Sequence, residues 1–171
     1  ARSRRIAHLL SDMLEPGARF ASLGKNSFDF LACYFAASLS GTVPVPLNYR
    51  LAPREWRFII DDAGAELVVA DIEFASGLDT VRDELETPDH FFGLDGAMAG
   101  WPSFDDAVNA MSDDRFDRLG SADDLVYQMY TSGTTGLPKG AMISQRALVA
   151  HLAQLSAAIG VIDDPRTLTA V

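Results

Sequence analysis

Tyr130-Thr131-Ser132-Gly133-Thr134-Thr135-Gly136-Leu137-Pro138-Lys139-Gly140 is the stretch from which the rest of this sequence can be read. Its residues include four Thr and Ser hydroxyls, three glycines, one proline and one lysine. An apolar run, Leu125-Val126-Tyr127-Gln128-Met129-Tyr130, leads into it, and a helix-like segment from Gln145 to Gly160 follows. A strand feeding a loop of this composition is suited to gripping phosphate. Glycines let backbone N–H groups approach an anion, hydroxyls add hydrogen bonds, and lysine supplies a mobile positive charge. Ordinary turns use Gly, Ser and Thr as well, but the density of these residues, their order and the preceding strand all favour the anion-binding reading.

The widespread nucleotide-binding pattern G-x-x-x-x-G-K-[ST] does not fit. Counting from Gly133, Pro138 stands where the second glycine is needed, and Gly140 stands where Ser or Thr is needed. A P-loop ATPase or kinase is therefore set aside.

Strand and helix signals alternate along the rest of the chain. Ile6, Leu9, Leu10, Met13 and Leu14 recur at helical spacing, with solvated arginines at the start and Pro16-Gly17 at the end. Arg19–Gly24 reads as a strand, followed by a helix capped by Asn26, apolar almost all round and ended by Gly41. Thr42-Val43-Pro44-Val45-Pro46-Leu47 is strand-like, but its prolines confine it to an edge. Pro53 opens a helix with Trp56, Ile59, Ile60 and Ala63 on one face, and Gly64 closes it. Glu66–Ala70 is a buried strand, and Phe74, Leu78, Val81 and Leu85 form a helical stripe weakened by Gly77. His90–Leu94 is a short strand, and Ser103 starts a short helix. Such alternation predicts an α/β fold with a mostly parallel sheet covered by helices, the loop following a strand's carboxyl end as ligand sites do in open α/β sheets.

Bulk properties narrow the function classes. The chain has 171 residues, 48% of them hydrophobic, which is enough for a real core. A net charge of −10 disfavours nucleic acid as partner and requires an anionic ligand to be held by local groups and a metal ion. The single cysteine, Cys33, lies in an apolar run and reads as a core residue, with nothing to suggest an oxidising compartment. No run approaches the roughly 18 apolar residues of a membrane span. The three histidines are scattered, and the aspartates of Ser112–Asp124 read as a solvated connector, so a zinc site has little support.

The order YTSGTTGLPKGAM closely resembles the phosphate-binding signature of the adenylate-forming enzymes: acyl-CoA synthetases, peptide-synthetase adenylation domains and luciferases. A second element, Ser40-Gly41-Thr42-Val43-Pro44-Val45-Pro46-Leu47-Asn48-Tyr49-Arg50-Leu51, is similar to one found in acyl-CoA synthetases, and Leu47-Asn48 tilts the resemblance towards them. The resemblance implies that residues 1–171 form the N-terminal part of an AMP-binding domain, truncated on its C-terminal side and lacking the C-terminal domain. The non-methionine start and the strand-like ending Thr167–Val171 agree with that expectation.

By the same resemblance, Thr131, Ser132, Gly133, Thr134, Thr135 and Gly136 would embrace the β- and γ-phosphates of ATP. Thr131 would lie near Mg2+, and Lys139 would offset phosphate charge. The implied reaction is cytoplasmic, with peripheral membrane association left open. A carboxylate, most simply that of a fatty acid, attacks the α-phosphate of ATP, and coenzyme A then displaces AMP. The expected partners are thus a carboxylic acid, ATP and coenzyme A, without nucleic acid or a transmembrane segment; oligomeric state is not encoded. Residues 1–171 alone are expected to be inactive. Two other readings remain: a ligase for aryl or other carboxylic acids, and a homologue that binds a nucleotide or partner without chemistry.

Overall fold

Four short apolar runs pair in parallel to make the sheet on which everything else is mounted. A computed structural model describes residues 1–116, 120–131 and 137–159. The strands are β1 (Arg19–Leu23), β2 (Val43–Leu47), β3 (Ala65–Ala70) and β4 (His90–Gly93), in the order β2-β1-β3-β4. Helices α1 (Arg2–Met13), α2 (Phe28–Ser40), α3 (Pro53–Ala63), α4 (Ile72–Asp79) and α5 (Phe104–Ala110) cover its faces. The expected α/β architecture, a parallel sheet covered by helices, is present.

The central strands explain why the sheet needs helices on both sides. Phe20, Leu67 and Val69 point into one core with Ile6, Leu10, Ala36, Phe104 and Val108, from α1, α2 and α5. Their neighbours Ala21, Leu23, Val68 and Ala70 point into the other with Trp56, Ile59, Ile60 and Leu78, from α3 and α4. The period of two along a strand divides its side chains between the faces, and both sets are apolar, as parallel sheets require. Each large side chain that is fully buried here, such as Phe20 or Ile60, contributes about 1.5–3 kcal/mol through burial.

Several sequence expectations hold in detail. Strand β2 is an edge strand, pairing only with β1 within this sheet. Its prolines fall at alternate positions, so their missing N–H groups face the free edge, while the Val43 N–H points inward and donates to Ala18 O at 2.9 Å. Helix α2 ends at Gly41 in the left-handed region, at φ 80°. Helix α3 has Pro53 in its first turn, and the Glu55 carboxylate accepts from the Ala52 N–H at 2.8 Å. Cys33 is buried, and desolvation pushes its thiol up to about 12.

Four expectations need correction. The cap of α2 is Ser27 rather than Asn26: its hydroxyl accepts from the Phe30 N–H at 3.2 Å. That helix is not buried all round, because Phe28, Leu31 and Phe35 form an exposed face. The stripe from Phe74 to Leu85 is not one helix, since α4 stops at Asp79 and a 3-10 turn, Arg82–Glu84, follows. Gly77 makes room for the Trp56 ring, to which an added Cβ would come within 3.2 Å. Among the leading arginines, Arg2 is not merely solvated: it bridges α1 to Asp29 of α2 and Asp105 of α5, at 2.5 Å each.

At the carboxyl edge of the sheet, Asp71 accepts from the Lys25 N–H at 2.9 Å. Burial raises its pKa, the Lys25 N–H bond opposes the rise, and the nearby Asp95 charge adds to it. A carboxyl whose pKa is higher folded than unfolded stabilises the fold when protonated, and that stability is lost as pH rises through the folded pKa. Asp71→Asn therefore raises the melting temperature near neutral pH. The gain fades as pH falls through the raised pKa of Asp71, which thermal melts across about pH 3–7 would measure.

Candidate functional site

The hydroxyl- and glycine-rich stretch is reached through a hairpin separate from the parallel sheet. Strand β5 (Leu125–Thr131) pairs antiparallel with β6 (Lys139–Ser144), and α6 (Gln145–Ile159) follows directly. The sequence reading went from strand through loop to helix and missed β6. The loop does follow the carboxyl end of β5, but β5 lies outside the four-stranded sheet. Its inner-face anchors are Arg19, which opens β1, and Asp62, in the last turn of α3 just before β3. Both lie at the amino edge of the parallel sheet.

The hairpin is mounted against the edge strand β2, which it packs beside. Val126 is buried, and Tyr127 meets Tyr34 of α2 edge-on with ring centroids 6.2 Å apart. At the base, the Gln145 and Arg146 N–H groups donate to Asp124 O and Ala122 O at 2.9 and 2.8 Å. The Gln145 side chain also donates to Ser38 Oγ at 3.2 Å, tying α6 to α2.

Register decides which side chains meet. Thr131 is paired with Lys139, Tyr130 with Gly140, Met129 with Ala141 and Gln128 with Met142. Directly opposed residues of an antiparallel pair project to the same face. Thr131 and Lys139 therefore present a hydroxyl and an ammonium together at the mouth of the loop, both exposed to solvent. A hydrogen-bond donor beside a cation suits a phosphate-sized anion. Ser132, Gly133, Thr134, Thr135 and Gly136, the other predicted site residues, lie outside the described residues.

The opposite face of the hairpin looks inward and was not singled out from the sequence. The Arg19 guanidinium donates from Nε to Gln128 Oε1 at 2.8 Å, and Gln128 Nε2 donates to the Tyr130 hydroxyl at 3.0 Å. That hydroxyl donates to Asp62 Oδ2 at 2.5 Å. Gln128 is buried, yet each end of its amide has a partner, as a buried polar group needs. Burial together with the Asp62 hydrogen bond and charge raises the Tyr130 pKa, so the phenol stays protonated and donates. Gly140 belongs to this arrangement: an added Cβ would lie 2.6 Å from Gln128 Nε2 and 2.8 Å from Tyr130 Cζ. Tyr130 and Gly140, the ends of the signature, are thus one cross-strand pair. Period-two alternation back from Thr131 would have put Gln128 and Tyr130 on a common face, but their partner Asp62 has no sequence signal.

As for metals, no group of three or more His, Cys, Asp or Glu among the described residues could hold one. Thr131 offers a single hydroxyl oxygen at the loop mouth. Magnesium keeps several waters and takes substrate phosphates as ligands, so one protein oxygen is compatible with a metal arriving with its nucleotide. No helix among the described residues is long and apolar enough to cross a membrane.

Comparison with known proteins adds an independent line. The family model described as AMP-binding enzyme matches residues 1–171. A fatty acid–[acyl-carrier-protein] ligase, ScoC, from Streptomyces coeruleorubidus is 36% identical over 149 residues, or 86% of this chain and 27% of that protein. A long-chain-fatty-acid–CoA ligase from Thermus thermophilus is 36% identical over 136 residues, 79% of this chain and 25% of its own length. A 3-hydroxybenzoate–CoA ligase from an Aromatoleum species is 34% identical over 128 residues, 75% of this chain and 24% of its own. Among solved structures, ATP-bound MatB from Rhodopseudomonas palustris superposes with a TM-score of 0.75 at 32% identity, covering 91% of this chain and 30% of that one. The chain thus spans about a quarter of the length of these curated relatives.

A substitution at Gly140 tests the hairpin geometry. Gly140→Ala forces the Tyr130 ring and the Gln128 amide apart, and we expect a loss of about 1–3 kcal/mol, typical of overpacking. Urea denaturation of the variant beside the parent measures it; equal midpoints would contradict the close packing over Gly140.

Proposed function

Because the chain belongs to the AMP-binding enzyme family, we propose that it carries the ATP phosphate-binding loop of an enzyme that activates a carboxylic acid as its adenylate. The single observation that supports this most directly is the pairing of Thr131 with Lys139 at the mouth of the signature loop. On this reading, residues 1–171 are the N-terminal part of the adenylation domain, and the rest of the machinery lies in further chain.

The reaction is written in two steps. A carboxylate oxygen attacks the α-phosphorus of ATP, forming the acyl-adenylate and releasing pyrophosphate. A thiol sulfur, that of coenzyme A, then attacks the acyl carbon and expels AMP. The work of this chain belongs to the first step. As the bond from the α-phosphorus to its bridging oxygen breaks, negative charge grows on pyrophosphate. Lys139 is set to offset that charge, and Thr131 with Ser132, Gly133, Thr134, Thr135 and Gly136 to hold the β- and γ-phosphates in line. These contributions are positioning and electrostatic stabilisation rather than covalent chemistry. Magnesium bound with ATP would neutralise phosphate charge, with Thr131 as the nearby protein oxygen.

We take a fatty acid as the substrate, in keeping with the Thermus ligase and with Leu47-Asn48 in the edge-strand element. The similarity to the 3-hydroxybenzoate ligase makes an aryl acid the competing reading, and ScoC makes a carrier-protein thiol the competing acceptor. Carboxylate-dependent ATP–pyrophosphate exchange by the full-length protein, run over fatty and aryl acids, tests the proposal. Exchange with fatty acids supports it, and exchange only with aryl acids moves the assignment. Absence of exchange with every acid leaves a non-catalytic homologue. In the active protein, Lys139→Ala should slow exchange by roughly tenfold to a thousandfold, the range for loss of a charge-stabilising donor. An unchanged rate would remove Lys139 from the site.

A further inference from the structure

The hydrogen-bonded chain Arg19–Gln128–Tyr130–Asp62 runs in one direction, from a cation to a carboxylate, with every donor matched to an acceptor. It joins the first residue of β1 to the last turn of α3 across the inner face of the loop-bearing hairpin. Tyr130 has two ties to the loop mouth. It precedes Thr131 in β5, and its cross-strand partner Gly140 follows Lys139 in β6. Any shift of the Tyr130 ring is therefore passed to both residues that frame the loop.

The location of Asp62 is hard to explain by helix stability. A carboxylate in the last turn of a helix faces the negative end of the macrodipole, an unfavourable place for it. No basic residue occupies the last turn of α3, and the Asp62 side chain is exposed, so burial gives no reason for it either. What it does contact is the Tyr130 hydroxyl, 68 residues further along the chain.

We propose that Asp62, acting through Tyr130, is a positioning residue that fixes the spacing of Thr131 and Lys139 for the phosphates of ATP, a role that rests on the function proposed above. Asp62 itself touches no substrate. It anchors the phenol, the ring seats on Gly140, and the ring sets the exit of β5 and the entry of β6. Loosening that anchor widens the range of positions open to the framing residues and weakens the grip on phosphate.

The test compares Asp62→Ala, Tyr130→Phe and the double variant in ATP–pyrophosphate exchange by the full-length protein. Each single variant should raise KM for ATP and for pyrophosphate about tenfold to a hundredfold, as expected when a binding group is misplaced by up to an ångström. KM for the carboxylic acid should stay unchanged, and the double variant should be no worse than Tyr130→Phe alone, since loss of the hydroxyl already removes the Asp62 contact along with that to Gln128. Asp62→Ala should melt close to the parent, because an acidic group at the negative helix end is removed along with the hydrogen bond. Unchanged KM for ATP in Asp62→Ala, additive effects in the double variant, or a fall in kcat matching a loss of folded protein would each overturn the positioning role. If the parent itself shows no exchange with any acid, the proposed function fails and takes the positioning role with it. If the parent is active and Asp62→Ala is indistinguishable from it, the positioning role fails alone.

Discussion

The free edge of β2 is the constraint from which the geometry of the site follows. Pro44 and Pro46 leave that edge without N–H donors at the positions where another strand would need them. Strand β5 comes to lie beside β2 without entering its hydrogen-bonded sheet, and satisfies its backbone by pairing with β6 instead. That pairing makes the stretch between Thr131 and Lys139 a hairpin connection whose two ends are held together. A crossover to a distant parallel strand would have left them apart.

Having given up backbone pairing to the main sheet, the hairpin is oriented by side chains. Two kinds of contact do this. Val126 and Tyr127 supply apolar and aromatic packing against the β2–α2 side. Arg19, Gln128, Tyr130 and Asp62 supply a directional polar link to the amino edge of the sheet and the end of α3. Apolar packing resists separation but tolerates sliding, whereas a matched hydrogen-bond chain with a buried amide at its centre has one low-energy arrangement. The strand period puts Gln128 and Tyr130 on one face, where the polar link forms, and Tyr127 on the other with Thr131 and Lys139.

The acidic character of the chain makes this local arrangement matter more. With a net charge of −10, the long-range field opposes an incoming polyanion. On the function proposed here, recognition of phosphate comes from short-range donors and a correctly placed cation. Such interactions fall off steeply with misalignment, so the value of holding Thr131 and Lys139 in register is greater than it would be on a basic protein.

The sequence by itself determined the parallel α/β core, because apolar period, proline and glycine positions are local properties that leave little choice: the Pro44/Pro46 edge, the Gly41 and Gly64 helix ends and the Trp56–Ala63 face were all legible. It also carried the family signature and its two described framing residues, Thr131 and Lys139. Tertiary structure decided what depends on partners distant in sequence. Strand β6 exists through its register with β5, Ser27 outcompeted Asn26 as a cap through side-chain geometry, and Arg2 found its carboxylates on two other helices. Asp62 carried no signal in its own neighbourhood. Its link to Tyr130 arises only when α3 and the hairpin are brought together, since a hydrogen bond between polar groups far apart in the chain leaves no periodicity to read.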